Sequence, residues 1–439
     1  MKTMIPRGPT TGDLVMMKLC LTVFRRLTAL TVCAASLATA QNAPESIVLF
    51  RPQPHQTIRD GRYGAVILFQ RQLAVAAETC GISIPDERSF ADGTIGPATA
   101  QTISKVTACA SIGPSLAVDD PARKGAISTG LWHVISPDIV VPSAQSRAHT
   151  MTFSYEATDY TDIEFNVGTR DQGILTWGPL GATAGQAFQV QAILRKIDDK
   201  SPLLIGENFG SEAESVRSLS QTRTESSATA LVSSVAAVPA RRAAWTQGFR
   251  SLASSKDVRD IYDAVMGDKG TSGIFEGVAD FYCSYWTNGW VPTEVDYAFF
   301  FDRAVQIDVR QEKTREATAA VAAFEAKAHR FLSPAERRRI IAANFTAGNL
   351  SWVADRLARD VAYYIDSIPE PTLSNESLVS LRDTHAPALM DLKDEIHLWK
   401  VRSGKKASDF GLSDARLAPP PDMMATARSK CIAPTLVAK

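Results

Sequence analysis

The chain has 439 residues, of which 45 % are hydrophobic and 21 % charged, which excludes a disordered or fibrous protein and leaves room for two or three domains. Its 47 Lys/Arg balance 47 Asp/Glu, but residues 1–40 hold five Lys/Arg and one Asp, leaving 42 basic against 46 acidic side chains beyond them. That slight acidity speaks against a nucleic-acid partner and suits a cationic polymer.

Residues 1–40 read as a signal peptide. Lys18, Arg25 and Arg26 precede the apolar run Leu27–Leu37, and Ala38-Thr39-Ala40 closes it with small residues before Gln41. Met16 or Met17 would serve as a start giving a leader of ordinary length. No later apolar run is long enough to span a bilayer, so the expectation is a periplasmic or secreted protein, free of the membrane after cleavage. Cys80, Cys109, Cys283 and Cys431 remain after the leader, an even number that in an oxidising compartment suggests two disulfides. Pairing Cys80 with Cys109 and Cys283 with Cys431 is one of three possible arrangements.

Residues 41–112 read as a small module. Val66, Phe69, Gln70 and Leu73 share one helical face, and Asp92-Gly93-Thr94-Ile95-Gly96-Pro97-Ala98-Thr99 forms a turn with Pro97 suited to the first helical turn. This D-G-x-x-G-P-x-T pattern resembles the small three-helix peptidoglycan-binding modules, and the resemblance implies wall attachment. Residues 113–142, with Pro114, Pro121, Pro137 and Pro142, read as a linker or a wrap-around segment.

From residue 143 to 420 the chain reads as one mainly helical domain, followed by a tail over 421–439. Ser143 to Tyr155 predicts a helix, as do 184–197, 228–250, 257–266, 310–331, 334–346, 350–366 and 388–401. Thr161 to Phe165 and Ile174 to Thr176 are strand candidates around a turn from Gly168 to Gly173. The Ser/Ala/Thr-rich stretch 211–238 is compatible with a helix or a loop, and Arg337-Arg338-Arg339 reads as a solvated helix face.

Tyr155-Glu156 at the end of a helix, then Asp171-Gln172-Gly173-Ile174-Leu175-Thr176, then the turn Gly181-Ala182-Thr183-Ala184-Gly185, is similar to the lysozyme-like superfamily, distantly to the chitosanases of glycoside hydrolase family 46. The run Phe301-Asp302-Arg303-Ala304-Val305-Gln306 resembles a later helix of that family, and Trp399 to Asp409 a loop near the substrate. The family's Gly and Arg after its catalytic Asp are Gln172 and Gly173 here, so contacts of that Arg do not carry over. The resemblance implies a lysozyme-like α domain with a short β-hairpin at a cleft. It also implies an enzyme that hydrolyses a β-1,4-linked amino-sugar polymer, peptidoglycan or chitosan.

In that chemistry Glu156 is the expected general acid and Asp171 the general base, with Thr176 orienting the attacking water and an inverting outcome. Trp177 and Tyr155 are the candidate sugar-binding rings. Asp159, Asp162 and Glu164 compete for the second carboxylate role, and Asp302 is expected to anchor a buried helix. No metal site is suggested by the scattered His and Cys, no cofactor is expected, and the protein is expected to act as a monomer. Location favours the wall polymer over chitosan. The alternatives are a non-catalytic wall-binding protein on the same fold and a lytic transglycosylase using Glu156 alone.

Overall fold

The computed structural model describes residues 45–52, 58–84, 86–156, 159–168, 173–185, 187–268, 273–306, 311–346, 353–367, 392–402 and 404–432. The expected leader over 1–40 and Asp171 lie outside them. The chain is mainly helical, with three small sheets among the described residues. The first part runs β1 (Val48–Phe50), β2 (Ile58–Arg59), α1 (Ala65–Thr79), α2 (Glu87–Phe90), β3 (Thr94–Ile95), α3 (Pro97–Ala108), β4 (Ile127–Ser128), α4 (Thr129–Ile135) and α5 (Ala144–Glu156). A three-stranded antiparallel sheet follows, in the order β5 (Ile163–Phe165), β6 (Leu175–Trp177), β7 (Ala182–Ala184).

The remainder is helical. It comprises α6 (Gln189–Lys200), α7 (Pro202–Phe209), α8 (Ala213–Gln221), α9 (Glu225–Ala236), α10 (Pro239–Leu252) and α11 (Lys256–Gly267), then α12 (Ile274–Thr287), α13 (Glu294–Gln306), α14 (Gln311–Ala328), α15 (Pro334–Thr346), α16 (Val353–Asp360), α17 (Leu392–Arg402) and α18 (Pro421–Ile432). The described residues from Ile47 onward form one compact unit. Among them no helix is long and apolar enough to cross a membrane.

The turn before α3 follows from its glycines. Gly93 has φ +78°, and a Cβ there would sit 2.2 Å from the Gly61 carbonyl oxygen, so only glycine lets β3 close on β2. Pro97 then opens α3, where its missing N–H is not needed. Cys80–Cys109 joins the ends of α1 and α3, and Cys283–Cys431 joins α12 to α18, so the chain carries the two disulfides that an oxidising compartment sustains.

Several expectations are corrected. Residues 113–142 are not a bare linker: β4 pairs with β1, Leu131 and Trp132 are fully buried, and Trp132 stacks on Phe69 at 4.8 Å. Ser128 caps α4 by accepting from the Leu131 N–H at 3.0 Å, so the segment wraps into the core as structure of its own. The helix expected over 228–250 is two, because Pro239 starts a new one after Val238. The stretch 211–238 is helical through α8 and α9. Ala182–Ala184 is a third strand and not a turn, with Thr183 opposite Thr176. The tail forms α18, with Met423 and Ala427 buried.

The triple arginine is not solvated either. Arg338 pairs with Asp296 at 2.9 Å and Asp414 at 3.0 Å, Arg339 with Glu395 at 3.0 Å, and Arg337 with Glu325 at 3.1 Å. Each cation meets an acid from another element, so the run is a junction of α13, α14, α15 and α17.

Asp60 joins the N-terminal helices to α5. Its carboxylate accepts from the Val66 N–H at 3.0 Å, inside the first turn of α1, and from the Thr150 hydroxyl at 2.6 Å. Burial pushes its pKa up from 3.8 to about 6, against the lowering effect of those hydrogen bonds. The folded chain therefore holds this proton more tightly than the unfolded chain, and stability falls as pH rises from about 4 through about 6. We expect Asp60→Asn to remove up to about 3 kcal/mol of that slope, measured by urea unfolding at pH 4.5 and 7. Identical slopes for the two proteins would contradict this role.

Candidate functional site

α5 is short of large apolar residues and is held by specific partners. Ala148, Met151 and Thr152 are buried, and the His149 ring stacks on Phe301 of α13 at 3.9 Å while its Nε2 meets the Tyr297 hydroxyl at 2.9 Å. Buried Arg147 donates to the carbonyls of Phe410 at 2.9 Å, Pro142 at 2.8 Å and Gly411 at 3.0 Å. Gly411, at φ +63°, packs where a Cβ would meet the Val48 carbonyl oxygen at 2.1 Å. The loop after α17 is therefore fixed to both β1 and α5, and it carries Lys405.

Glu156 is the last residue of α5 and lies at the edge of a charged cluster. Arg359 of α16 donates through Nη1 to Glu156 Oε1 at 2.7 Å and through Nη2 to Asp302 Oδ1 of α13. The Gln306 amide, oriented with its oxygen toward the guanidinium, accepts from Nε at 3.0 Å and Nη1 at 2.5 Å. Next to this pair, Arg303 donates through Nη2 to Asp360 Oδ2. The dipeptide Asp302-Arg303 thus faces the mirrored dipeptide Arg359-Asp360, and two ion pairs cross between the helices.

Exposure separates the members. Asp302, Arg303 and Asp360 side chains are 0 % exposed, Arg359 is 13 % exposed and Glu156 is 34 % exposed. Burial drives the Arg303 pKa down to about 10, with Asp302 opposing. Burial also acts to lower Arg359, but the charges of Asp302 and Glu156 overcome it and raise the pKa above the usual arginine value. The cluster holds three carboxylates against two guanidiniums. Glu156 is the one carboxylate of the three that solvent reaches. Its Oε2 has no protein partner among the described residues.

Tyr155 and Lys405 form one side of this site. The Tyr155 ring has the Arg359 guanidinium 4.7 Å and the Lys405 ammonium 5.1 Å from its centroid. Lys405 donates to the Ser154 carbonyl at 2.6 Å, and burial, then the charge of Arg359, lowers its pKa to about 8. The structure therefore brings Tyr155 and Glu156 together with Asp302 and Arg359.

The other expected site residues fall elsewhere. Asp171, in the connection between β5 and β6, lies outside the described residues. The Thr176 hydroxyl accepts from Asn166 Nδ2 at 3.0 Å within the sheet, on the face it shares with Glu164 and Thr183. Trp177 is 1 % exposed, its indole N–H donates to the Tyr160 carbonyl at 2.9 Å, and its ring packs edge-on against Phe249 and Tyr262. It is a core residue and offers no face to a sugar. We expect Trp177→Phe to destabilise the fold by about 1–3 kcal/mol in chemical denaturation, by leaving that carbonyl unpaired. A variant as stable as the parent would contradict this placement.

Asp159 Oδ1 accepts from the Thr161 N–H at 2.6 Å and Asp162 Oδ2 from the Asp159 N–H at 2.7 Å, so both shape the turn before β5. Among the described residues no group of three His, Cys, Asp or Glu side chains is arranged to hold a metal. Arg359 carried no sequence signal of its own, whereas Lys405 lies in the stretch Trp399 to Asp409 that the resemblance set near the substrate. The available hint was the charged pair Asp302-Arg303 inside the apolar run of α13, which only a matching pair elsewhere could neutralise. Comparison with protein-family models, with curated proteins and with solved structures returned no match.

Proposed function

We propose that this protein is an exported glycoside hydrolase that cuts a β-1,4-linked amino-sugar polymer, with Glu156 as the proton donor. The observation that carries the reading is the state of Glu156. It ends a helix and holds one oxygen on Arg359, while the other has no protein partner among the described residues and the side chain is one third exposed. General acid catalysis needs a positioned carboxyl with an oxygen in reach of the leaving group, and the open oxygen of Glu156 meets that geometric part of the requirement. Arg359, itself held on buried Asp302, orients that carboxyl, so the Arg359 fork acts as a positioning group.

A sheet follows α5 directly, and its first two strands make the hairpin that the lysozyme-like resemblance implies; in sequence Asp171 falls between them, outside the described residues. We assign Asp171 the water-activating role and an inverting outcome. The leader expected from the sequence over 1–40 and the two disulfides support export, and that location supports peptidoglycan over chitosan. The test is release of reducing sugar from each polymer, with the first anomer read by proton NMR. Inverted product supports the full assignment, and retained configuration removes Asp171 as general base. A second reading, wall binding without catalysis, draws on the Arg359 ion pair that occupies Oε1, and binding without sugar release from either polymer would favour it.

A further inference from the structure

α10 carries three arginines, and among the described residues only one of them meets an acid. Arg241 forks onto Glu212, with Nε 2.8 Å from Oε1 and Nη2 2.9 Å from Oε2. Arg242 and Arg250 lie on the neighbouring stripe of the helix, with Thr246 between them, and both are exposed. Neither has an ion pair or a side-chain hydrogen bond among the described residues.

These two open cations line a groove of about 430 Å³. Pro239 and Ala243 give it a small apolar floor, Gln247 stands beside them, and no carboxylate of the described residues lines it. The Arg242 guanidinium rests 5.3 Å from the centroid of the Phe165 ring in β5, which steadies it without cancelling its charge. The groove therefore lies next to the hairpin that the proposed function uses. Beyond residue 40 the chain holds 42 basic against 46 acidic side chains, so the groove is a local reversal of its charge.

A planar guanidinium fork matches a carboxylate through two parallel hydrogen bonds. The two forks are rooted about 12 Å apart along the helix axis, which is the reach of about four residues of extended chain. The Gln247 amide makes no side-chain hydrogen bond among the described residues, and it offers a donor and an acceptor, the complement of a peptide group. We propose that this groove binds an extended acidic peptide, with one carboxylate on Arg242, a second on Arg250 and a peptide group on Gln247. The charge preference follows from the groove itself. That the peptide is one borne by the wall polymer rests on the proposed function, and it sets peptidoglycan apart from chitosan, which bears none.

The test is calorimetric titration of the full chain at low salt with two end-blocked six-residue alanine peptides. One carries two glutamates four positions apart, and the other carries glutamines in their place. We expect the glutamate peptide to bind about tenfold more tightly, and Arg242→Gln and Arg250→Gln each to weaken it about fivefold. Both positions are exposed, so the variants are expected to fold. Lys124→Gln removes an exposed cation away from α10 and is expected to leave the affinity within about twofold. Equal affinity for the two peptides, binding unchanged by the arginine substitutions, or an equal loss in Lys124→Gln would overturn the proposal. The probes hold no sugar, so charge-selective binding by a protein that releases no sugar would uphold the groove and reject the hydrolase. Unselective binding by an active hydrolase would do the reverse.

Discussion

Glu156→Gln is expected to lower sugar release by about 10²–10⁴-fold, the usual contribution of a positioned general acid. Glutamine keeps the size and the hydrogen bond to Arg359 but carries no proton to transfer. The fold is expected to survive, because the substitution leaves two carboxylates, Asp302 and Asp360, against two guanidiniums, Arg303 and Arg359. A stability change below about 1 kcal/mol is the expected value for a pair with one exposed partner. Initial rates and thermal melting of the same preparations check both halves. A folded variant within a few-fold of the parent rate would remove Glu156 from the chemistry.

Asp360→Ala is expected to destabilise the protein by about 3–5 kcal/mol, because it leaves the buried Arg303 guanidinium without its direct partner. Asp302 Oδ1 already accepts from Arg359, and the Asp302 charge acts on Arg303 without a hydrogen bond to it. Replacing both members, Arg303→Met with Asp360→Leu, is expected to cost much less than the single change, because no buried charge is then left alone. Urea unfolding of the two single variants and the double variant measures the difference. If Asp360→Ala lost less than about 1 kcal/mol, the cluster would not be the structural base of the site.

Much of this fold is legible in the sequence, for physical reasons. Helices that cover a core with one face show it by spacing, as Val66, Phe69 and Leu73 do, and Gly93 with Pro97 marks a turn that few other residues permit. α12 escaped because it is buried nearly all round, from Ile274 through Tyr285, so its apolar residues show no face. β7 escaped because Gly181 to Gly185 has turn composition, and only pairing with β6 makes a strand of it.

The site is less legible than the fold. Glu156 was marked by its place at a helix end, but the groups that hold it come from positions 302, 306, 359 and 405. No local pattern connects residues separated by up to about 250 positions. The Trp177 ring misled for a related reason. An aromatic beside Gly178-Pro179 reads the same whether it faces a ligand or, as here, closes the core beneath β6.

Under the proposed function, Glu156 drives hydrolysis of an amino-sugar chain. Mass spectrometry of products formed from peptidoglycan and from chitosan in ¹⁸O-labelled water tests it most directly. The expected products are new reducing ends that carry one labelled oxygen with the parent protein and none with Glu156→Gln. Anhydro-sugar ends without label, or no new ends from either polymer, would contradict it.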